Sequence, residues 1–190
     1  MHGLINRSIQ HFLTETYGAA VWRDLAADAG LAPEGFEAML SYDDAQTFLL
    51  IDLAADRLRK PAEAIWEDYG MFLVSLEPLR RLMRFSGGDF GEFLGSLGEL
   101  HERAELAVAG LGLPRLSIAR NDGTLVRVCH DPAWTGFSGT LAGVLRAMAD
   151  DYGALVLIEA NEALRQVDIE LLDAAFSAGR DFVLASAGGA

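Results

Sequence analysis

Cysteine is nearly absent: Cys129 stands alone among 190 residues, so neither an internal disulfide framework nor a CxxC metal site is available. A reducing cytoplasm is the simplest compartment for such a chain. Basic residues are scarce too, 15 Lys and Arg against 28 Asp and Glu, for a formal net charge of −13. That surface repels phosphate backbones and anionic lipid, so no nucleic acid and no membrane surface is expected as partner. No uncharged apolar run reaches the roughly 18 residues a transmembrane span requires. The start, MHGLINRSIQHF, breaks its apolar run with Asn6, Arg7 and Gln10, unlike a signal peptide. The chain also lacks GxSxG, HExxH and Walker-type motifs around its histidines, His2, His11, His101 and His130. Catalysis is therefore not expected. Repeats and low-complexity segments are missing as well, leaving a single domain over 1–190 with a frayed tail from Ala185 to Ala190.

What the chain does have is apolar content, 51% of residues, enough for a sizeable core and for a cavity lined by aliphatic and aromatic side chains. The first half reads as helices. Ile5, Ile9, Phe12 and Leu13 recur at helical spacing, as do Val21, Trp22, Leu25 and Ala29, with Gly30 as terminator. A third helix is predicted from Asp43 or Asp44 to about Arg59, with Phe48, Ile51, Ala55 and Leu58 inward. Pro61 opens a fourth holding Ile65, Trp66, Tyr69, Phe72 and Leu73. A short fifth follows around Leu79 to Phe85. Beyond Gly110, Gly112 and Pro114 the pattern changes to alternation: RLSIAR and TLVRVCH flank Asn121-Asp122-Gly123, a strong hairpin signal. A helix from about Gly139 to Asp151 and strands at ALVLIEA, ALRQVDIELL and RDFVLAS complete the reading. The fold class is α+β: a helical N-terminal part, 1–60, and a part from 61 to 190 carrying a smaller, mostly antiparallel sheet with one or two helices.

Residues 86–108, SGGDFGEFLGSLGELHERAELAV, organise the rest. Phe90, Phe93, Leu94, Leu97, Leu100, Ala104 and Ala107 recur at steps of three and four, one stripe of a helix. His101 lies on that stripe, which directs its imidazole inward. A buried imidazole needs a hydrogen-bond partner or a metal, since an unpaired buried polar group costs about 1 to 3 kcal/mol. His101 is thus either a satisfied core histidine or an axial metal ligand. The scattered Tyr and Trp residues, Trp134 among them, read as core or rim aromatics. Cys129, in an alternating strand, reads as a small buried hydrophobe.

Taken in order, these segments resemble the H-NOX family, the haem-nitric oxide/oxygen binding domains of bacterial sensors and soluble guanylate cyclase. Met1-His2-Gly3-Leu4-Ile5 is similar to the family's M-x-G-x-I opening, and Tyr17-Gly18 with Val21-Trp22 and Ala29-Gly30 to its next pattern. Ile65-Trp66 with Tyr69-Gly70 and Phe72 looks like the helix facing the distal side of the haem. FLGSLGELH resembles the family's FL..LD.IH segment, with Gly98 in place of the Asp, and GFSGTLAGVL resembles its later helix. The resemblance implies haem b (heme b) as cofactor, with His101 as proximal iron ligand and Ile5, Leu97 and Pro114 against the porphyrin. Residues 1–60 would form the distal part and 61–190 the proximal part.

One motif departs. Where the family carries Tyr-x-Ser-x-Arg to hold the propionates, this chain reads His130-Asp131-Pro132-Ala133-Trp134. Each charge-assisted hydrogen bond is typically worth about 1.5 to 3 kcal/mol. Compensation would come from His130 and from Arg115, Arg120 or Arg127; strand alternation puts Arg127 and Cys129 on one face and Val126, Val128 and His130 on the other. The resemblance implies a gas sensor for nitric oxide, with carbon monoxide as a further ligand, because Ile9, Gly70, Val74 and Thr140 on the distal side offer no phenol. Its output would pass to a separate protein such as a histidine kinase or a diguanylate cyclase. The alternative is a haem-free regulatory module of the same fold, binding a protein or another apolar ligand.

Overall fold

A computed structural model describes residues 1–32, 34–177, 179 and 180. The helices run α1 (Gly3–Tyr17), α2 (Ala19–Asp28), α3 (Asp44–Leu58), α4 (Ala62–Ser75), α5 (Glu77–Arg84), α6 (Phe90–Ser96), α7 (Leu100–Ala107) and α8 (Phe137–Tyr152). Strands β1 (Leu116–Asn121), β2 (Leu125–His130), β3 (Leu155–Asn161) and β4 (Gln166–Asp173) pair antiparallel in the order β1-β2-β4-β3. The strand expected at RDFVLAS lies outside the described residues apart from Arg180, as does the tail from Ala185.

Local chemistry explains the boundaries. Asp43 caps α3 by accepting from the Ala45 N–H at 2.9 Å. Gly123, in the left-handed region at φ +88°, makes the β1–β2 turn, where Asp122 accepts from the Thr124 and Leu125 amides. Helix α3 is rotated relative to the expectation: Thr47, Leu50, Ile51 and Ala54 are buried, while Phe48, Ala55 and Leu58 are only half-buried. The cause is the hydroxyl of Thr47, which donates to the Asn6 side-chain oxygen at 2.7 Å inside the core.

Two apolar clusters form the core. One gathers Ile5, Ile9, Phe12, Leu50, Ile65, Trp66 and Tyr69 from α1 to α4; the other gathers Val74, Phe93, Leu94, Leu97, Leu116, Val128 and Leu145 beneath the sheet. Helix α4 contributes to both and lies against α8 with backbones nearly touching. A Cβ at Gly70 would meet the Thr140 carbonyl, so glycine is required there. Gly136, at φ +93°, starts α8 with the Trp66 ring pressed against it.

The expected long helix through His101 is broken. Helix α6 ends at Ser96, a single 3₁₀ turn covers Leu97–Glu99, and α7 begins at Leu100. Gly95, in the last turn of α6, and Gly98, inside the 3₁₀ turn, are of the type with the weakest helix propensity short of proline. The apolar stripe accordingly stops at Leu97. No residue of α7 is fully buried, and Ala107 is exposed.

Candidate functional site

His101 is half-buried rather than fully interior, yet its ring is held. Nδ1 lies 2.6 Å from the Leu113 carbonyl oxygen. A carbonyl can only accept, so Nδ1 carries a proton, and in the neutral ring Nε2 keeps the lone pair. Among the described residues Nε2 has no partner. Two neighbours on α7 anchor the same returning segment: Glu105 accepts from the Gly110 and Gly112 amides at 2.9 and 3.2 Å, and Glu102 pairs with Arg115. Those amides hold the Glu105 carboxyl below the usual carboxylate range, and Arg115 does the same for Glu102.

His2, which caps α1, adds a small electrostatic contribution to lowering the Glu105 carboxyl. Leu111 packs on the helical cluster while Leu113 packs on the sheet-side cluster. The segment that returns from α7 therefore touches both clusters. Ile5, Leu97 and Pro114 are all buried, Ile5 in the helical cluster and Leu97 in the other. Two surface clefts, about 760 Å³ beside Arg84 to Gly88 and about 340 Å³ along α1, are not lined by His101.

The polar candidates sort differently. His130 is buried and fully engaged: Nδ1 reaches the Asp131 carbonyl oxygen and Nε2 the Ser138 hydroxyl, both at 2.8 Å. Its ring is thus part of the α8 start and offers no free nitrogen to a propionate. Arg115 is exposed and bound to Glu102. Arg127 makes a two-pronged ion pair with Asp168, both bonds 2.6 Å, on the face of β2 away from the core; Arg120 pairs with Asp122. Cys129 shares that outer face and is half-buried, not a core residue as expected, because the buried face of β2 is Val126, Val128 and His130.

Sequence reasoning passed over Trp134. Its ring packs on both clusters, edge-on to Phe137 at 4.9 Å, and its Nε1 is buried without a hydrogen-bond partner. Its place in the replaced Tyr-x-Ser-x-Arg stretch was the available signal. On the distal side Thr140 donates to the Gly136 carbonyl at 3.1 Å, and Tyr69 and Ser8 bond each other at 2.6 Å. Burial pushes the Tyr69 phenol up to about 12.

A haem fits this donor set at the iron. Among the described residues no group of three or more His, Cys, Asp or Glu could hold a bare metal ion. A metal on His101 would have to bring its other ligands with it, as porphyrin iron does. The Nδ1–H to carbonyl bond is also the outer bond that metal-bound histidines make.

The fold places the chain among H-NOX domains. It superposes with a TM-score of 0.77 on the H-NOX protein from S. oneidensis in its Fe(II) state, at 17% identity, covering 92% of this chain and 97% of that one. An I5F mutant of the T. Tengcongensis H-NOX gives 0.75 at 16% identity, covering 93% and 100%. Residues 2–160 match the family described as haem-NO-binding, and the chain belongs to that family. Among named relatives, soluble guanylate cyclase gcy-34 of Caenorhabditis elegans is 31% identical over 134 residues, 66% of this chain and 19% of that protein. Soluble guanylate cyclase gcy-35 of the same organism is 29% identical over 157 residues, 78% and 22%. The chain spans about a fifth of the length of these relatives. No helix among the described residues is long and apolar enough to cross a membrane.

Proposed function

We propose that the chain is a cytoplasmic haem-based gas sensor, not an enzyme, with His101 as the axial ligand of haem b. The observation that carries this reading is the His101 ring itself, its Nδ1 proton pinned to the Leu113 carbonyl and its Nε2 left open. Ile5, Leu97 and Pro114 supply apolar walls. When bound through His101, the haem would supply a coordination site for a diatomic gas. The chain then supplies the moving part. Helix α7 has no fully buried residue and follows a 3₁₀ turn that contains Gly98, so its displacement costs less packing than that of a core helix. Nitric oxide and carbon monoxide are the ligands this site suits, because the hydroxyls of Thr140 and Tyr69 are already hydrogen-bonded. The shift of α7 would be read by a signalling partner such as a histidine kinase or a diguanylate cyclase.

The test is an anaerobic absorption spectrum of the haem-reconstituted protein, before and after nitric oxide, with His101→Ala alongside. A Soret band that needs His101 and shifts with nitric oxide supports the sensor. A wild type that takes up no haem near one-to-one stoichiometry refutes it. That result would favour a haem-free module binding a protein or another apolar ligand, a reading supported by the engagement of His130 and Arg115 elsewhere.

A further inference from the structure

We infer that the Trp134 indole N–H is the hydrogen-bond donor for a carboxylate of the ligand seated between the two core clusters, the haem propionate on the reading above. The inference rests on that reading but has its own observation. Nε1 of Trp134 is buried and unpartnered, in a ring that touches both clusters and is braced edge-on, at an interplanar angle of 89°, by Phe137. Buried N–H groups are nearly always paired, so an open one marks a place where an acceptor is missing.

The polar groups at the start of α8 and the arginines of the sheet side are spent. The two buried polar side chains of the same stretch, His130 and Ser138, bond each other. The Gly136 and Ser138 amides at the start of α8 are taken at 3.0 Å by the two carboxylate oxygens of Glu162. Arg115, Arg120 and Arg127 are tied to Glu102, Asp122 and Asp168. A carboxylate entering the seam therefore finds the indole as its open buried donor, and an anionic acceptor makes the stronger bond with it.

Trp134→Phe removes the donor and keeps an aromatic ring against Phe137. With haem, release to an excess of apomyoglobin should become about 10- to 100-fold faster, while the histidine-ligated Soret position is unchanged. With haem dimethyl ester, which carries no carboxylate, wild type and variant should release at the same rate. Equal release of ordinary haem by wild type and variant would overturn the inference, as would an undiminished difference with the diester, which would assign the effect to packing. Failure of the wild type to bind haem at all refutes the sensor reading and the propionate assignment together, an outcome distinct from equal release.

Discussion

His101 and His130 are chemically identical side chains that the fold puts to different use. The first has one nitrogen bound and one open; the second has both bound. Neither fate is visible in the sequence, since Leu113 and Ser138 become partners only through the turn of the chain. Asp151 shows the same dependence. At 1% exposure it holds Arg80 at 2.7 Å and Arg84 at 3.5 Å, at the end of a helix whose length was legible in the sequence but whose ion pairs were not. Asp151→Ala should destabilise the protein by about 3 kcal/mol or more, as removal of one partner of a buried ion pair generally does. Arg80 would be left with its longer contact to Glu77. Urea denaturation measures this, and a loss below about 1 kcal/mol, the range of surface pairs, would contradict it.

At the level of elements, the helix through His101 is where periodicity misled. The apolar spacing of Phe90 to Leu97 continues numerically into Leu100 and Ala104, but two glycines let the chain tighten into a 3₁₀ turn and re-aim α7. A methyl on Gly98 would meet only the Leu116 carbonyl oxygen, at an ordinary 3.8 Å. Gly98→Ala should therefore stabilise the fold by about 0.4 to 1 kcal/mol through the unfolded chain's lost freedom. A fall in melting temperature would argue against this. The β1–β2 hairpin was legible in full because Asp-Gly chemistry is local. Its turn carboxylate, Asp122, titrates at about 2 instead of the ordinary 3.8, chiefly because the Leu125 amide and the Arg120 guanidinium bond its charged form. A depressed value of this kind supports the turn above the ordinary value and withdraws that support as pH falls from 3.8 towards 2. Amide shifts of Thr124 and Leu125 should follow with a midpoint near 2; a midpoint at the ordinary value would show that the turn does not hold the carboxylate.

For the molecule as a whole, the two clusters meet along α4, and Trp134 and the segment that returns from α7 touch both. The sequence by itself determined the class of fold and the family: helical spacing, then alternation around Asp-Gly, a fold that the superpositions at TM-scores near 0.75 bear out, and soft motifs whose family the match over residues 2–160 bears out. It also determined which residue types are available to a site, a histidine in FLGSLGELH and no arginine where the family keeps one. Only the tertiary structure decided which of those residues are open to a ligand. Arg115, Arg120, Arg127 and His130 were all candidates by position, and each is consumed by a partner brought to it by the fold. Trp134 was not a candidate, and its buried indole N–H has no acceptor among the described residues. The physical reason is that hydrogen bonds and ion pairs form within about 3 to 4 Å in space, and spacing along a chain sets such distances only within a helix turn or a hairpin.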